Sequence, residues 1–149
     1  MVRGLAKRAG VFTAAEQAIA VELVEERLRA GRRSGYFFAF AELGGSVVGY
    51  TAWGPIPMTA ASFDLYWIVV DPARRRLGIG RRLLELTEQD VRERGGQRLY
   101  IETSSRDRYA PTRRFYRRAG YRRAAVLKDF YADGDDKVVF CKALLEVAD

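Results

Sequence analysis

The 149-residue chain contains no histidine and a single cysteine. The missing histidine removes every Ser-His or Cys-His nucleophile pair and every Cys/His zinc site, so no metal is expected. One cysteine forbids an intrachain disulfide and fits a reducing cytosol. Acid–base chemistry must therefore run on Glu, Asp, Tyr, Lys, Cys or water. Long apolar runs are also absent: nothing approaches the ~20 residues of a membrane span, and the first twenty residues lack a signal-peptide core. The expectation is a cytoplasmic protein with no membrane partner. Repeats, linkers and low-complexity tracts are missing too, so residues 1–149 read as one domain. What is present is ordinary for a globular fold: 48% hydrophobic and 30% charged residues.

Lys and Arg number 26 against 19 Asp and Glu, a net charge of +7. Such an excess points to an anionic partner without naming it. The arginines cluster. Arg74, Arg75, Arg76, Arg81 and Arg82 surround a glycine pair, whereas Arg113, Arg114, Arg117, Arg118, Arg122 and Arg123 read as a solvated basic face. No RNA-binding aromatic signature or recognition helix accompanies them, so nucleic acid is not the expected partner.

Residues Val2 to Ala9, closed by Gly10, read as a short helix. Thr13 and Glu16 form a capping box for a second, on which Ile19, Ala20, Leu23, Val24 and Leu28 share a face up to Gly31. Tyr36 to Glu42 and Ser46 to Trp53 read as strands of a hairpin turning at Gly44-Gly45. Phe63 to Val70 is apolar on both faces apart from Asp64, the pattern of a central strand. A helix carrying Leu83, Leu84, Thr87 and Val91 ends at Gly95-Gly96. Gln97 to Thr103 is a strand, Pro111 opens a short helix ending at Gly120, and Tyr121 to Phe130 and Lys137 to Leu144 are the last strands. Cys141 reads as core. The fold class is α/β, with a mixed sheet flanked by helices.

The informative stretch runs from Val69 to Leu84: a central strand, Asp71-Pro72, arginines, Gly78-x-Gly80, then a helix. Glycines let the backbone approach an anion, and the first helical N–H groups favour negative charge. The segment therefore predicts a pyrophosphate site at the helix start near Gly80. A P-loop is excluded because no Lys-Ser or Lys-Thr follows the second glycine. A dinucleotide-binding βαβ unit fits poorly: Leu83 stands where the third glycine belongs, and the loop begins seven residues beyond the strand.

Arg75-x-x-Gly78-x-Gly80 resembles the Arg/Gln-x-x-Gly-x-Gly/Ala signature of the GNAT superfamily of acetyl-CoA-dependent N-acetyltransferases. Phe115-Tyr116-Arg117-Arg118-Ala119-Gly120-Tyr121 resembles the same family's Tyr-x-x-x-Gly-Phe/Tyr segment. Motif separation and element order agree over residues 11–144. The resemblance implies a GNAT-like fold with a mostly antiparallel central sheet. The usual first strand is missing or truncated, which leaves the strand at Tyr36 to Glu42 as an edge.

It further implies that Ile68, Val69 and Val70 line the pantetheine arm of acetyl-CoA. Arg75, Arg76, Leu77, Gly78, Ile79, Gly80 and Arg81 would wrap the pyrophosphate. Tyr116 matches the tyrosine that acts as general acid on the departing thiolate, against the reading of a packed core side chain. Glu102, at a strand end beside apolar Tyr100 and Ile101, matches a glutamate that acts as general base. Asp64 is its rival. The family often has asparagine seven residues before the motif tyrosine; here that residue is Tyr109. Asp129 to Asp136 resembles the Tyr-rich acidic hairpin of peptide N-terminal acetyltransferases. The implied partners are acetyl-CoA and a primary amine, with a small-molecule amine favoured over a peptide terminus or lysine. A non-catalytic acyl-CoA sensor is the other reading, and a homodimer stays open.

Overall fold

The computed structural model describes Gly4 and residues 14–145, with side chains from residue 21 onward apart from 23 and 32. The short helix expected at Val2 to Ala9, the Thr13 cap and any strand at 5–13 lie outside the described residues. Helix α1 (Ala14–Ala30) ends at Gly31, whose φ of 60° reverses the chain into a 3-10 turn. Strands β1 (Phe37–Leu43) and β2 (Ser46–Pro55) form the hairpin, with Gly44 and Gly45 both at positive φ as a two-residue turn requires. There follow β3 (Ser62–Val70), α2 (Ile79–Glu93), β4 (Arg98–Ser104), α3 (Ala110–Arg118), β5 (Arg122–Ala132) and β6 (Asp135–Ala143). This is the element order expected from the sequence.

Six strands form one sheet in the order β1-β2-β3-β4-β6-β5. Only β3 and β4 run parallel; every other neighbouring pair is antiparallel. Among the described residues β1 and β5 occupy the two edges.

Apolar alternation sends Phe63 and Leu65 of β3, Leu99 and Ile101 of β4, and Val138 and Phe140 of β6 to one face. There they meet Leu84 and Val91 of α2 and Tyr116 of α3. On the other face Tyr50, Ala52 and Val69 pack with Val24 of α1. Leu65 and Val69 share the same parity, yet face opposite ways. The reason is a bulge at Ala52/Trp53 that leaves Tyr66 without a partner, so Tyr66 and Trp67 both turn to the α1 face.

Two sequence readings change here. Leu28 is 80% exposed and does not continue the buried face of α1. Cys141 is only half-buried, because its strand position faces away from α2 and α3.

Helix α2 is fastened to both ends of the sheet. Thr51 and Thr87 hydroxyls hydrogen-bond at 2.9 Å in full burial, and Trp53 Nε1 donates to Asp90 at 2.9 Å. Farther along, buried Glu88 accepts from Tyr121 Oη at 2.9 Å and from Lys142 Nζ at 3.0 Å. Lys142 also donates to the Ala119 carbonyl at 2.9 Å, near the end of α3. Burial and the adjacent carboxylate push the Tyr121 hydroxyl pKa upward, so it serves as donor.

Removing one partner would leave a buried charge uncompensated. Lys142→Met is therefore expected to cost about 3 kcal/mol in urea unfolding at pH 7, and Glu88→Gln combined with it should recover more than half. A single-variant loss below about 1 kcal/mol would mean that the pair behaves as a solvated one.

Candidate active site

The parallel pairing of β3 with β4 covers only Ser62 to Leu65 against Arg98 to Ile101. Beyond it β3 stays paired to β2 as far as Val70, and β4 stays paired to β6 as far as Ser104. The two strands thus part, and Ile68, Val69 and Val70 border a gap whose other wall is Glu102 to Ser104. Strand geometry directs alternate backbone N–H and C=O groups of β3 toward β4, and past Leu65 no strand receives them.

At the mouth of the gap, Asp71 caps a 3-10 turn by accepting from Ala73 N at 3.1 Å, with Pro72 at its first position. The chain then passes through Arg75 in extended conformation, Arg76 at φ 70° and Gly78 at φ 75° before entering α2. Arg76 and Gly78 supply left-handed residues of the kind from which anion-binding nests are built, and the loop leads into a helix N-terminus. No acidic side chain occupies the first turn of α2; Arg81 and Arg82 stand there instead. Cations at that end oppose the macrodipole, an arrangement that an anionic ligand would reverse.

The two glycines differ in kind. Gly78 needs its freedom for conformation, since a Cβ there would meet nothing within 4 Å but φ is positive. Gly80 sits against other residues: a Cβ would lie 3.5 Å from Phe115 and 3.6 Å from Val70. Leu77, 62% exposed, points away from the core.

The α1 face of the gap carries the carboxylates. Asp64 stands opposite Tyr100 in register, and Glu102 lies two residues further along the same side of β4. Glu102 was expected in an apolar setting, but its side chain is 48% exposed and pairs with Lys137 Nζ at 3.0 Å. The apolar setting belongs to Asp64. Desolvation and the Glu102 charge push its pKa up to about 6, against a smaller lowering by Lys137. Lys137 also rests 4.4 Å above the Phe130 ring.

Beside Asp64, burial and the Asp64 charge raise the Tyr66 hydroxyl to about 12, and Tyr36 packs edge-on to Tyr66 at 5.5 Å. Gly54 makes this possible, because a Cβ there would collide with the Gly35 carbonyl and the Tyr66 hydroxyl. A cavity of about 380 Å³ adjoins Tyr36 and is walled by Glu22, Glu25, Glu26, Arg29 and Ser34, with Arg29 paired to Glu26 at 2.6 Å. Sequence reasoning missed Tyr36, Tyr66 and Lys137, which no motif marks. Asp64 was visible as the one charge in its strand.

Tyr116 is buried on the α2/α3 face, its ring 5.8 Å from Phe140, 6.1 Å from Tyr121 and 5.6 Å from Phe115. Burial raises its pKa, so the hydroxyl is neutral at physiological pH. Tyr109 is buried as well.

A sheet that splits beside a glycine-lined helix N-terminus defines a protein built to hold an extended, anion-ended ligand. Residues 6–121 match the acetyltransferase (GNAT) family. A curated N-alpha-acetyltransferase of Sulfurisphaera tokodaii is 31% identical over 117 residues, 72% of this chain and 69% of the relative. A GNAT-family structure from Desulfovibrio desulfuricans is 46% identical with a TM-score of 0.94, covering 97% of this chain and 91% of its own. An aminoglycoside 6'-N-acetyltransferase complexed with coenzyme A has the same fold at 21% identity, with a TM-score of 0.76 and coverage of 99% and 91%. The chain belongs to the GNAT family and is an acetyl-CoA-dependent N-acetyltransferase. Among the described residues no helix is long and apolar enough to cross a membrane, and no cluster of candidate metal ligands occurs.

The glycine distinction has a direct test. Gly78→Ala should lose about 1 kcal/mol of stability by forcing a Cβ into the left-handed region, whereas Gly80→Ala should be neutral or slightly stabilising. Thermal unfolding without ligand reads both. Equal losses would show that the two glycines have one role.

Proposed function

We propose that the protein acetylates the primary amine of a small cationic molecule, with Asp64 as the proton acceptor on the α1 face of the split sheet. The observation that carries this reading is the half-buried Asp64 beside the gap, with Glu102 on the same side; Tyr66 near it packs against Tyr36, which adjoins a cavity that also carries Glu22 and Glu25. An amine arrives as an ammonium and must lose a proton before it can attack. A carboxyl with a pKa of about 6 is ionised at neutral pH and is more basic than an exposed aspartate, which suits it to that task. Glu102, which the sequence favoured for this role, holds Lys137 and keeps the site negative; direct participation would run through water.

The thioester of acetyl-CoA supplies the acetyl group. Backbone N–H groups of Ile68, Val69 and Val70 border the place where its carbonyl oxygen gains charge, and a donor there would stabilise it. The nest and helix start from Arg75 to Arg81 hold the pyrophosphate through main-chain amides, with Arg75 and Arg76 adding charge. Tyr116, kept neutral by burial, retains the proton that a departing thiolate needs.

Turnover also separates this enzyme from an acyl-CoA sensor, which would bind without acetylating. A peptide N-terminus is the second reading for the acceptor, favoured by the 31% identical N-alpha-acetyltransferase and by exposed Phe130 and Tyr131 at the last hairpin. Comparing kcat/KM for polyamines and aminoglycosides with that for neutral peptide N-termini decides between the two. A preference for neutral peptides would overturn the cationic reading.

Because Asp64 acts ionised, kcat/KM should rise with pH through about 6 and fall below it. Asp64→Asn should reduce kcat by about a hundredfold or more and remove that acid limb. Glu102→Gln should cost less than about tenfold, and Tyr116→Phe should lower kcat with little change in acetyl-CoA affinity. If Glu102→Gln removes the limb while Asp64→Asn keeps it, Glu102 is the base.

A further inference from the structure

Strand β5 is exposed along all of its length, because α2 and α3 cover the core of the sheet and stop short of this edge. Between α3 and β5 runs a groove of about 470 Å³. Its walls carry Arg113 and Arg117, one turn apart on α3, and Arg123 at the start of β5; Val126 and Val138 lie on its floor. This flank of α3 is not the flank that meets the glycine loop, where Phe115 approaches Gly80. The groove and the gap between β3 and β4 thus lie on different flanks of α3 and adjoin only at Ser104 and Ser105, the end of β4.

The groove's positive charge is only partly compensated. Lys128 at its far end is matched by Asp136 at 3.0 Å. Among the described residues Arg113, Arg117 and Arg123 form no ion pair with any carboxylate. Arg113 is nonetheless fixed, donating to the Ser104 carbonyl at 2.7 Å and the Arg106 carbonyl at 2.9 Å. Partial burial and the neighbouring Arg117 both disfavour its charge, with Asp107 the compensating carboxylate nearby and Arg114 adding to the repulsion. Three guanidinium groups lining one groove with no ion pair among them, and only Asp107 nearby, cost stability that an anionic partner would return.

We propose that this groove is a docking surface for a short acidic polypeptide segment lying along β5. Guanidinium forks pair carboxylates in bidentate geometry, and the three sit on two facing elements instead of converging on one point, as they would around a single phosphate. The valine floor takes small apolar side chains between the acidic ones. From Arg123 to Lys128 the strand advances about 17 Å, the length of roughly six extended residues. The groove offers no exposed aromatic platform on which bases would stack, which disfavours single-stranded nucleic acid. The second arginine group, which the sequence reads as a solvated face, thus divides: Arg113, Arg117 and Arg123 form a wall, and the others stay on the surface.

The test is fluorescence anisotropy of a labelled peptide alternating glutamate and valine, titrated with full-length protein in saturating acetyl-CoA so that the glycine loop is occupied. Saturable binding that weakens as salt rises is expected. Arg117→Glu with Arg123→Glu should weaken it at least about tenfold, since each lost charge-assisted bond is worth about a factor of ten. Arg117→Gln with Arg123→Gln should weaken it less, and acetyl-CoA affinity should be unchanged in both, showing that the fold is intact. Absence of saturable binding, or binding insensitive to both double variants, would each overturn the proposal. So would tighter binding of oligothymidine or polyphosphate at the same groove.

Discussion

The parallel contact between β3 and β4 is only four residue pairs long, and the functional architecture follows from that limit. Had the pairing continued, the backbone groups of Ile68 to Val70 would be spent on the ladder and no slot would exist. Because it stops, the sheet consists of two halves, β1-β2-β3 and β4-β6-β5. The nest from Arg75 to Gly78 sits where the first half ends and α2 begins, so one element boundary supplies both the slot and its anion-binding mouth.

The bulge opposite Ala52 and Trp53 has a comparable effect on chemistry. It lets one strand serve two cores: Leu65 packs beneath α2, whereas Val69 packs beneath α1. Ordinary alternation sets Tyr66 on the side of Asp64, and the phase change adds Trp67 to that side. A carboxylate flanked by tyrosines and by a second carboxylate has raised basicity without metal or imidazole, which accords with a chain that has no histidine.

Much of this was legible in the sequence. Gly44-Gly45, Gly95-Gly96 and Gly120 marked real element ends, and Asp71-Pro72 marked the end of the central strand, since each imposes a local backbone requirement. The glycine loop was legible for the same reason. The carboxylates were harder. Residue type and strand position made Glu102 the stronger candidate, yet burial and neighbouring charge decide basicity, and around Asp64 these depend on how Glu102 of β4 and Lys137 of β6 come to lie beside β3. Gly54 is the site where the Gly35 backbone approaches β2 too closely for any Cβ. Such long-range approaches leave no periodic mark. The groove beside β5 was hidden likewise, because only the strand order β4-β6-β5 separates it from the helices.

The Glu88–Lys142–Tyr121 network lies at the closed end of the split, where Lys142 is the register partner of Leu99 and Leu99 that of Phe63. The buried ion pair ties α2 to β6 on the side of the sheet where β3 and β4 are still paired, and the two half-sheets lie free of each other only from there to Val70 and Ser104. A ligand seated along the slot would bridge them at the end where the ladder no longer does.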